Sequence, residues 1–320
     1  MKSNIEQAYQ EFKSGKLVSI PTETVYGLAA PINDREKLKK IFELKERPLF
    51  DPLIIHVDGI EMAKRYCWEW PQLAQDLAEK FWPGPLTIVL PKKGDLVSDM
   101  ITSGLETVGI RCPDHQLTLD LITKMGVPLA APSANKFTKT SPTCAEHVRS
   151  VFDLEDVFVL DGGPSQVGIE STIVKIVEDK LIILRAGMIT KGQLKSVVLE
   201  ENIKYGMTAL GEKEREKIES PGQYYKHYCP SFPLLLGSAS LLEMEELIEV
   251  RFGYPKGSGE QRSLDLNPVL AARSLYTCLR TNLAPQKKYL YLQVPSKLKT
   301  DELWRGIWDR LSKASLEFLG

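Results

Sequence analysis

The chain has 320 residues, 43% apolar, 26% charged and 8% aromatic, and its 41 Lys and Arg nearly cancel its 42 Asp and Glu. That length suffices for two domains with a core in each, and the near-neutral balance argues against a protein built mainly to grip nucleic-acid phosphates. Five scattered cysteines (Cys67, Cys112, Cys144, Cys229 and Cys278) without a C-x-x-C pair read as reduced thiols, not a disulfide framework or zinc site. Residues 1–16 hold charges and no apolar signal region, and no run approaches the ~18 apolar residues that span a bilayer. The expectation is a cytoplasmic protein that makes no use of a membrane.

In chain order, "KLVSIP" predicts a strand. "DREKLKKIFELKER" predicts a helix, with Leu38, Ile41, Phe42 and Lys45 at helical spacing, Asn33 or Asp34 as cap and Pro48 as stop. "PLIIHV" reads as a strand, "WPQLAQDLAEKFW" as a helix, "LTIVLP" and "VGIRCP" as strands. "HQLTLDLITKMG" is a helix closed by Gly126, "VPLAAPSAN" is extended, and "TCAEHVRSVF" opens with a capping box from Thr143 to Glu146. "VFVLDGG", "ESTIVKI" and "LIILRAG" complete a mixed α/β domain over residues 1–195. Residues 196–232, with a charged patch and the tyrosine- and proline-rich "SPGQYYKHYCPSFP", read as a linker, and residues 233–320 as a second, smaller α/β unit.

Common catalytic signatures are missing. The G-x-x-x-x-G spacings at Gly104–Gly109 and Gly187–Gly192 are followed by Ile110 and Gln193, not Lys, and there is no G-x-G-x-x-G, H-E-x-x-H or G-x-S-x-G. His56, His115, His147 and His227 are too scattered to suggest a metal cage. What stands out are polar residues at strand ends and in the loops after them: Thr22, Glu23, Thr24 and Tyr26; Lys45 and Arg47; His56; Arg111; Ser133 and Asn135; Ser141; Ser171 and Thr172; Arg185. Open α/β sheets bind ligands at such strand ends. Three arginines, a lysine and many hydroxyls suit a small anion, with catalysis by positioning and charge neutralisation as in phosphoryl or nucleotidyl transfer. Each piece also has a structural reading. Lys45 and Arg47 complement a helix dipole, His56 is a core histidine, Ser133 and Asn135 form a turn, Arg111 and Arg185 make surface ion pairs, and "PTET" caps a helix.

Together and in order, "PTETVYGLAA", "KERPLFDPLIIHV", "FWPGPLTIVL", "VGIRCPDH", "PLAAPSANKFTKTSPT", "DGGPSQVGIESTIV" and "LRAG" resemble the YrdC-like threonylcarbamoyl-AMP synthase family. Lys45/Arg47 and Ser133/Asn135 match its K-x-R and S-x-N pairs, and "SPGQYYKHYCP" with "AARSLYTCLR" and "GIWDRLSKA" is similar to its long two-domain form. The resemblance implies a YrdC-like twisted mixed sheet with a concave cleft, plus a small Rossmann-like C-terminal domain. It implies an enzyme that condenses L-threonine, bicarbonate or CO2, and ATP to threonylcarbamoyl-AMP and pyrophosphate, with Mg2+ accompanying the nucleotide. A downstream tRNA threonylcarbamoyl transferase would use the product, and any contact of this chain with tRNA would be weak.

By the same resemblance Thr24, His56, Arg111 and Ser171 bind threonine. Arg47, Asp51, Thr107, Ser133, Ser141 and Arg185 contact ATP, and Lys45 and Asn135 complete the catalytic pairs. Tyr225 and His227 belong to a lid over the cleft. Asp51 stands where the family usually has asparagine, and "KFTKT" replaces a common Ser-Gly turn. Lys45 and Arg47 are expected to be exposed at a helix end. A structured-RNA binding module without adenylate chemistry is the rival reading. A hydrogenase-maturing carbamoyl-transfer domain lacks its usual accompanying segments here.

Overall fold

The computed structural model describes residues 2–206, 218–223, 227–237, 247–252, 262–280, 289–293 and 301–319. Strand β1 (Leu17–Ile20) is buried at every position and ends at Pro21, after which residues 22–26 turn the chain into the antiparallel β2 (Gly27–Pro31). Gly27 sits where a Cβ would lie 3.1 Å from the Ala131 Cβ, so the close approach to the neighbouring chain depends on glycine. The sheet continues through β3 (Ile54–His56), β4 (Leu86–Pro91), β5 (Thr107–Arg111), β6 (Leu129–Ala130), β7 (Val157–Val159), β8 (Thr172–Val177), β9 (Lys180–Arg185) and β10 (Ile203–Tyr205). These ten strands form one mixed sheet ordered β10-β9-β8-β4-β5-β3-β6-β2-β1-β7. β10 pairs in parallel with β9, so the sheet extends past residue 195 into the stretch read as linker.

The helices of this part are α1 (Lys2–Lys13), α2 (Arg35–Lys45), α3 (Ile60–Lys64), α4 (Gln72–Phe81), α5 (Asp99–Thr102), α6 (Gln116–Met125), α7 (Ala145–Arg149) and α8 (Lys191–Leu194). Asp34 caps α2 by accepting the Lys37 N–H at 3.0 Å, and Leu38, Ile41, Phe42 and Lys45 form its buried face. The helix stops before Pro48, because Glu46 adopts the left-handed conformation (φ 55) and folds the chain back toward the sheet. Gly126 closes α6 with a φ of 68, as its position predicts. The capping box at Thr143 does not form. The Thr143 N–H points at His147 Nδ1 (3.2 Å) instead of the Glu146 carboxylate, and Glu146 pairs with Arg149 on the surface.

The second sheet holds β11 (Leu234–Gly237), β12 (Leu247–Phe252), β13 (Arg262–Leu264), β14 (Tyr289–Gln293) and β15 (Ser315–Leu319), all parallel, ordered β13-β12-β14-β11-β15. It is a parallel sheet with crossover helices, in which β14 lies between β12 and β11. Helices α9 (Pro268–Leu279), capped by Asn267 with proline at its first turn, and α10 (Arg305–Ala314) pack on it. The core of this unit takes in Val25, Ile169 and Tyr228 beside Leu236, Leu275, Leu292, Ile307 and Leu311. Val25 and Ile169 adjoin Thr24 and Glu170, so one apolar cluster reaches from the C-terminal unit to the strand ends of the first sheet. Among the described residues no helix is long and apolar enough to cross a membrane.

Candidate functional site

The "PTET" stretch is a tight turn, not a helix cap. Thr22 Oγ1 accepts the N–H groups of Thr24 and Val25 (both 3.2 Å), donates to the Val25 carbonyl (2.6 Å) and lies 2.8 Å from the Thr24 hydroxyl. The carbonyls of Glu23 and Thr24 accept the N–H groups of Val167 (2.6 Å) and Gly168 (3.1 Å), which seats the turn against the loop before β8. Tyr26 braces it from behind, accepting the Gly162 N–H and donating to the Gly163 carbonyl (2.7 Å). Glu23 turns sideways to Arg111 (2.6 Å) and accepts the Asp114 N–H.

Lys45 and Arg47 are not exposed; only 1% and 7% of their surface is accessible. Lys45, in the last turn of α2, extends its ammonium to the carbonyls of Ser133 (2.6 Å) and Asn135, and the carbonyl of Lys45 accepts the Phe137 N–H. Burial pulls its pKa well down, and the nearby Arg47 adds to this. Asn135 donates to the carbonyls of Lys136 and Lys139 (both 2.7 Å), so the pair does make a turn, with Lys45 as its anchor. The left-handed Glu46 then directs Arg47 inward. Its guanidinium donates to the carbonyls of Asp51 (3.1 Å) and Pro52 (2.8 Å) and lies 3.0 Å from the Asp51 carboxylate. Neither Asp51 oxygen receives an aligned hydrogen bond, and burial raises its pKa against the pull of Arg47.

Neighbouring strand ends supply the other groups. His56 ends β3 opposite Arg111 at the end of β5. The His56 ring is buried and its Nδ1 has no aligned partner; burial first, and Arg111 next, hold its pKa down at about 3, so the imidazole is neutral at physiological pH. Arg111 Nε donates to the Gly84 carbonyl. Before β8, the Ser171 hydroxyl lies 2.8 Å from that of Thr87 and accepts a 3.1 Å bond from Arg185, whose Nε also donates to the Ser171 carbonyl (3.0 Å). The surface ion-pair reading of Arg111 and Arg185 therefore fails, since both are buried.

These residues converge. Thr22, Thr24, Arg47, His56, Arg111, Ser133, Ser171 and Arg185 line one cavity of ≈ 50 Å³, roofed by Pro221, Gly222, His227 and Tyr228 from the stretch read as linker. That stretch is held on several sides. Arg185 donates to the Pro221 carbonyl, Lys313 Nζ to the Gly222 carbonyl (2.7 Å), and the Cys229 N–H to the Thr138 carbonyl (2.7 Å). His227 is buried with its ring 6.0 Å from Phe137 and 4.1 Å from Tyr228, while Tyr225 lies outside the described residues. The remaining named residues sit apart from this lining. Thr107 borders a separate small cavity with Ser220, Lys45 and Asn135 stand behind Ser133, Asp51 stands behind Arg47, and Ser141 bonds Glu170 at 2.5 Å.

Glu170 lines the cavity and was not singled out from the sequence. Its carboxylate accepts from Ser141, from Tyr276 of α9 (3.0 and 2.9 Å) and from Arg310 of α10 (2.9 Å). Burial alone would raise its pKa, but Arg310, Arg185 and the Ser141 hydrogen bond bring it down to about 2. His147, partly buried, is likewise lowered to about 4, and burial lowers His227 well below its usual value.

These shifts fix the sign of the acid response. Histidines kept neutral in the fold but free to charge near pH 6.5 when unfolded favour unfolding as pH drops below 6.5, by about 1.4 kcal/mol per pH unit for each. Glu170 adds stability above its unfolded pKa that is lost as pH falls from about 4.5 toward about 2. Urea midpoints measured from pH 8 to 4 are expected to fall more steeply below about pH 6.5, where the unfolded histidines take up protons, than above it, with the raised pKa of Asp51 opposing the loss from Glu170 at the acid end. A flat profile between pH 7 and 5 would contradict neutral buried histidines.

Comparison with known proteins agrees with the geometry. A family described as "Telomere recombination" matches residues 10–187, and one described as "Threonylcarbamoyl-AMP synthase, C-terminal domain" matches residues 189–315. The chain is 42% identical over 245 residues to a threonylcarbamoyl-AMP synthase of Bacillus subtilis, covering 77% of this chain and 70% of the relative. It is 40% identical over 267 residues to one of Pyrococcus abyssi, covering 81% and 77%. The crystal structure of P. abyssi Sua5 complexed with L-threonine superposes with a TM-score of 0.85 at 31% identity, over 99% of this chain and 96% of that one. With both domains matched in order and the strand-end residues gathered into one cavity, the chain belongs to the threonylcarbamoyl-AMP synthase family.

Proposed function

We propose that the cavity is the catalytic site of a nucleotidyl transfer, in which L-threonine, CO2 or bicarbonate, and ATP form L-threonylcarbamoyl-AMP and pyrophosphate. The observation that carries this reading is the gathering of Arg47, Arg111 and Arg185 with Thr24, His56 and Ser171 around one cavity. The threonine amine adds to CO2 and loses a proton, giving a carbamate. A carbamate oxygen then attacks the α-phosphorus of ATP, and the bond to the β-phosphate oxygen breaks to release pyrophosphate. Negative charge collects on the phosphates as that bond breaks, and fixed buried cations stabilise it better than water does.

In this reading Arg111 and the hydroxyls of Thr24 and Ser171 hold threonine, with neutral His56 as a hydrogen-bonding wall of the same subsite. Arg47, Ser133 and Arg185 face the nucleotide. Lys45 and Asn135 set the Ser133 loop, as their bonds to its carbonyls support. Magnesium enters with the triphosphate. Phosphate oxygens and water would be its main ligands. Ligand pockets usually measure about 300–1,000 Å³; at ≈ 50 Å³ the cavity is in a closed form, and the Pro221–Gly222 and His227–Tyr228 roof moves to admit ATP. Closed, that roof shields a hydrolysable mixed anhydride from water. A separate transferase would then pass the threonylcarbamoyl group to tRNA.

Pyrophosphate release by the purified protein is expected to require ATP, threonine and bicarbonate together, with the adenylate seen by mass spectrometry. Equal release without threonine would sink the proposal. The RNA-module reading fares worse, because the cleft arginines are buried and unsuited to a duplex backbone.

Asp51 gives a finer test. Its carboxylate is buried beside Arg47 without aligned donors, so it draws on the charge intended for the nucleotide. Asp51→Asn is expected to lower the KM for ATP by roughly three- to tenfold, the scale of one charge interaction in a partly screened site. The KM for threonine should stay within twofold. A raised KM for ATP would show that Asp51 helps hold the nucleotide.

A further inference from the structure

Arg310 is among the largest fully buried side chains of the described residues, yet it comes from α10 of the C-terminal domain. Its Nε donates to the Glu170 carboxylate (2.9 Å), its NH2 to the Glu170 carbonyl (3.2 Å), and its NH1 to the Ala186 carbonyl. Those two carbonyls flank the catalytic cavity: Glu170 precedes Ser171, and Ala186 follows Arg185. The guanidinium also lies 5.3 Å over the ring of Tyr228 in the roof, which is 6.0 Å from the Tyr276 ring. Next to it, Asp309 pairs with Arg310 (3.1 Å) and with Lys313 (2.7 Å), and Lys313 holds the roof at the Gly222 carbonyl.

The charges of this cluster balance. Two carboxylates, Glu170 and Asp309, are matched by two cations, Arg310 and Lys313. Arg185, by contrast, bonds Ser171 and the Pro221 carbonyl, with no carboxylate in ion-pair contact among the described residues. Remove Arg310, and the cation left to act on the Glu170 carboxylate across the cavity wall is Arg185.

We propose that Arg310 is a positioning residue for nucleotide binding: by taking Glu170 into its own ion pair it leaves Arg185, which faces the cavity, without a carboxylate in ion-pair contact. The C-terminal domain thereby sets the electrostatics of a site that lies in the other domain. This inference rests on the reading of the cavity as an ATP site. Tyr276 and Ser141 fix the two carboxylate oxygens but bring no charge, so they cannot replace the arginine.

The test compares wild type, Arg310→Met, Arg310→Lys and the double variant Glu170→Gln/Arg310→Met, with KM for ATP and for threonine measured separately and thermal unfolding recorded for each. R310M is expected to raise the KM for ATP about tenfold, the scale of one charge-assisted hydrogen bond, with a smaller effect on threonine. R310K is expected to recover part of this. The double variant buries neither charge unpaired and is expected to return the KM for ATP to within about threefold of wild type, because Arg185 again has no carboxylate in ion-pair contact. A folded R310M with the wild-type KM for ATP overturns the inference, as does a folded double variant no better than R310M. Should R310M not fold, the double variant decides alone, a tenfold rise overturning the inference and a near-wild-type value supporting it. Wild type that makes no adenylate would overturn the reading of the site itself, a result distinct from either.

Discussion

Replacing Arg47 with methionine is expected to slow adenylate formation by about 10²–10³-fold, the loss typical of removing one preorganised charge donor from a transition state. Two effects combine. The cavity loses one of its three arginines, and Asp51, which stands behind Arg47, is left buried without its counter-ion. Arg47 also holds the loop from Pro48 to Pro52 by donating to the Asp51 and Pro52 carbonyls. Losing one partner of a buried pair commonly destabilises by about 3–5 kcal/mol, so the melting temperature should fall as well. Arg47→Met/Asp51→Asn separates the two effects: it should recover most of the stability and little of the rate. Arg47→Lys keeps charge but not the planar fork that reaches two carbonyls at once, and should fall between. Pyrophosphate release under saturating threonine and bicarbonate measures the rate; a folded R47M within tenfold of wild type would refute the role.

Gly168→Ala is expected to be strongly destabilising. Gly168 has a φ of +85, and a Cβ there would lie 2.4 Å from both the Ala272 carbonyl oxygen and the Arg273 Cα in α9. A left-handed alanine costs about 1–2 kcal/mol by itself, and overpacking adds about 1–3, since the obstacle is helix backbone and cannot rotate away. To relieve the clash α9 must withdraw, carrying Tyr276 off Glu170 and opening the apolar cluster around Ile169. The denaturant midpoint should therefore drop by an amount equivalent to about 2–5 kcal/mol, with adenylate formation falling alongside. An unchanged midpoint would mean that α9 seats less tightly on the loop before β8 than the contacts indicate.

Much of the first domain was legible because its strands are short β-branched runs ended by Pro, Gly or a polar cluster, and its longer helices keep an apolar stripe. The candidate residues were legible for the same reason: a polar group at the end of a buried strand has few places to go except a cleft. What the sequence concealed were features set by backbone turns and distant partners. Spacing put Lys45 and Arg47 at a helix end, which ordinarily faces water, but Lys45 falls on the buried face of α2 and the left-handed Glu46 turned Arg47 inward after it. The Thr143 capping box matched its pattern and lost to a histidine one turn on. β10 was hidden by the charge around it, and α1 by the same cause, although Ile5, Ala8 and Phe12 mark its buried face. Glu170 had no local signal at all. Arg310 did have one: it falls in the apolar stripe Ile307, Leu311 and Ala314 of α10, where an arginine has to find a buried anion.

The late position of α10 in the sequence has a consequence for how the protein is made. Synthesis runs from the N-terminus and domains tend to fold as they emerge, so the ten-stranded sheet and its strand-end residues can assemble before Arg310 has left the ribosome. Until then Glu170 lacks the Arg310 guanidinium, and the roof lacks the Lys313 anchor at Gly222. The nascent chain thus carries most of the residues that line the cavity before their roof is anchored, and the cavity is complete only when α10 docks.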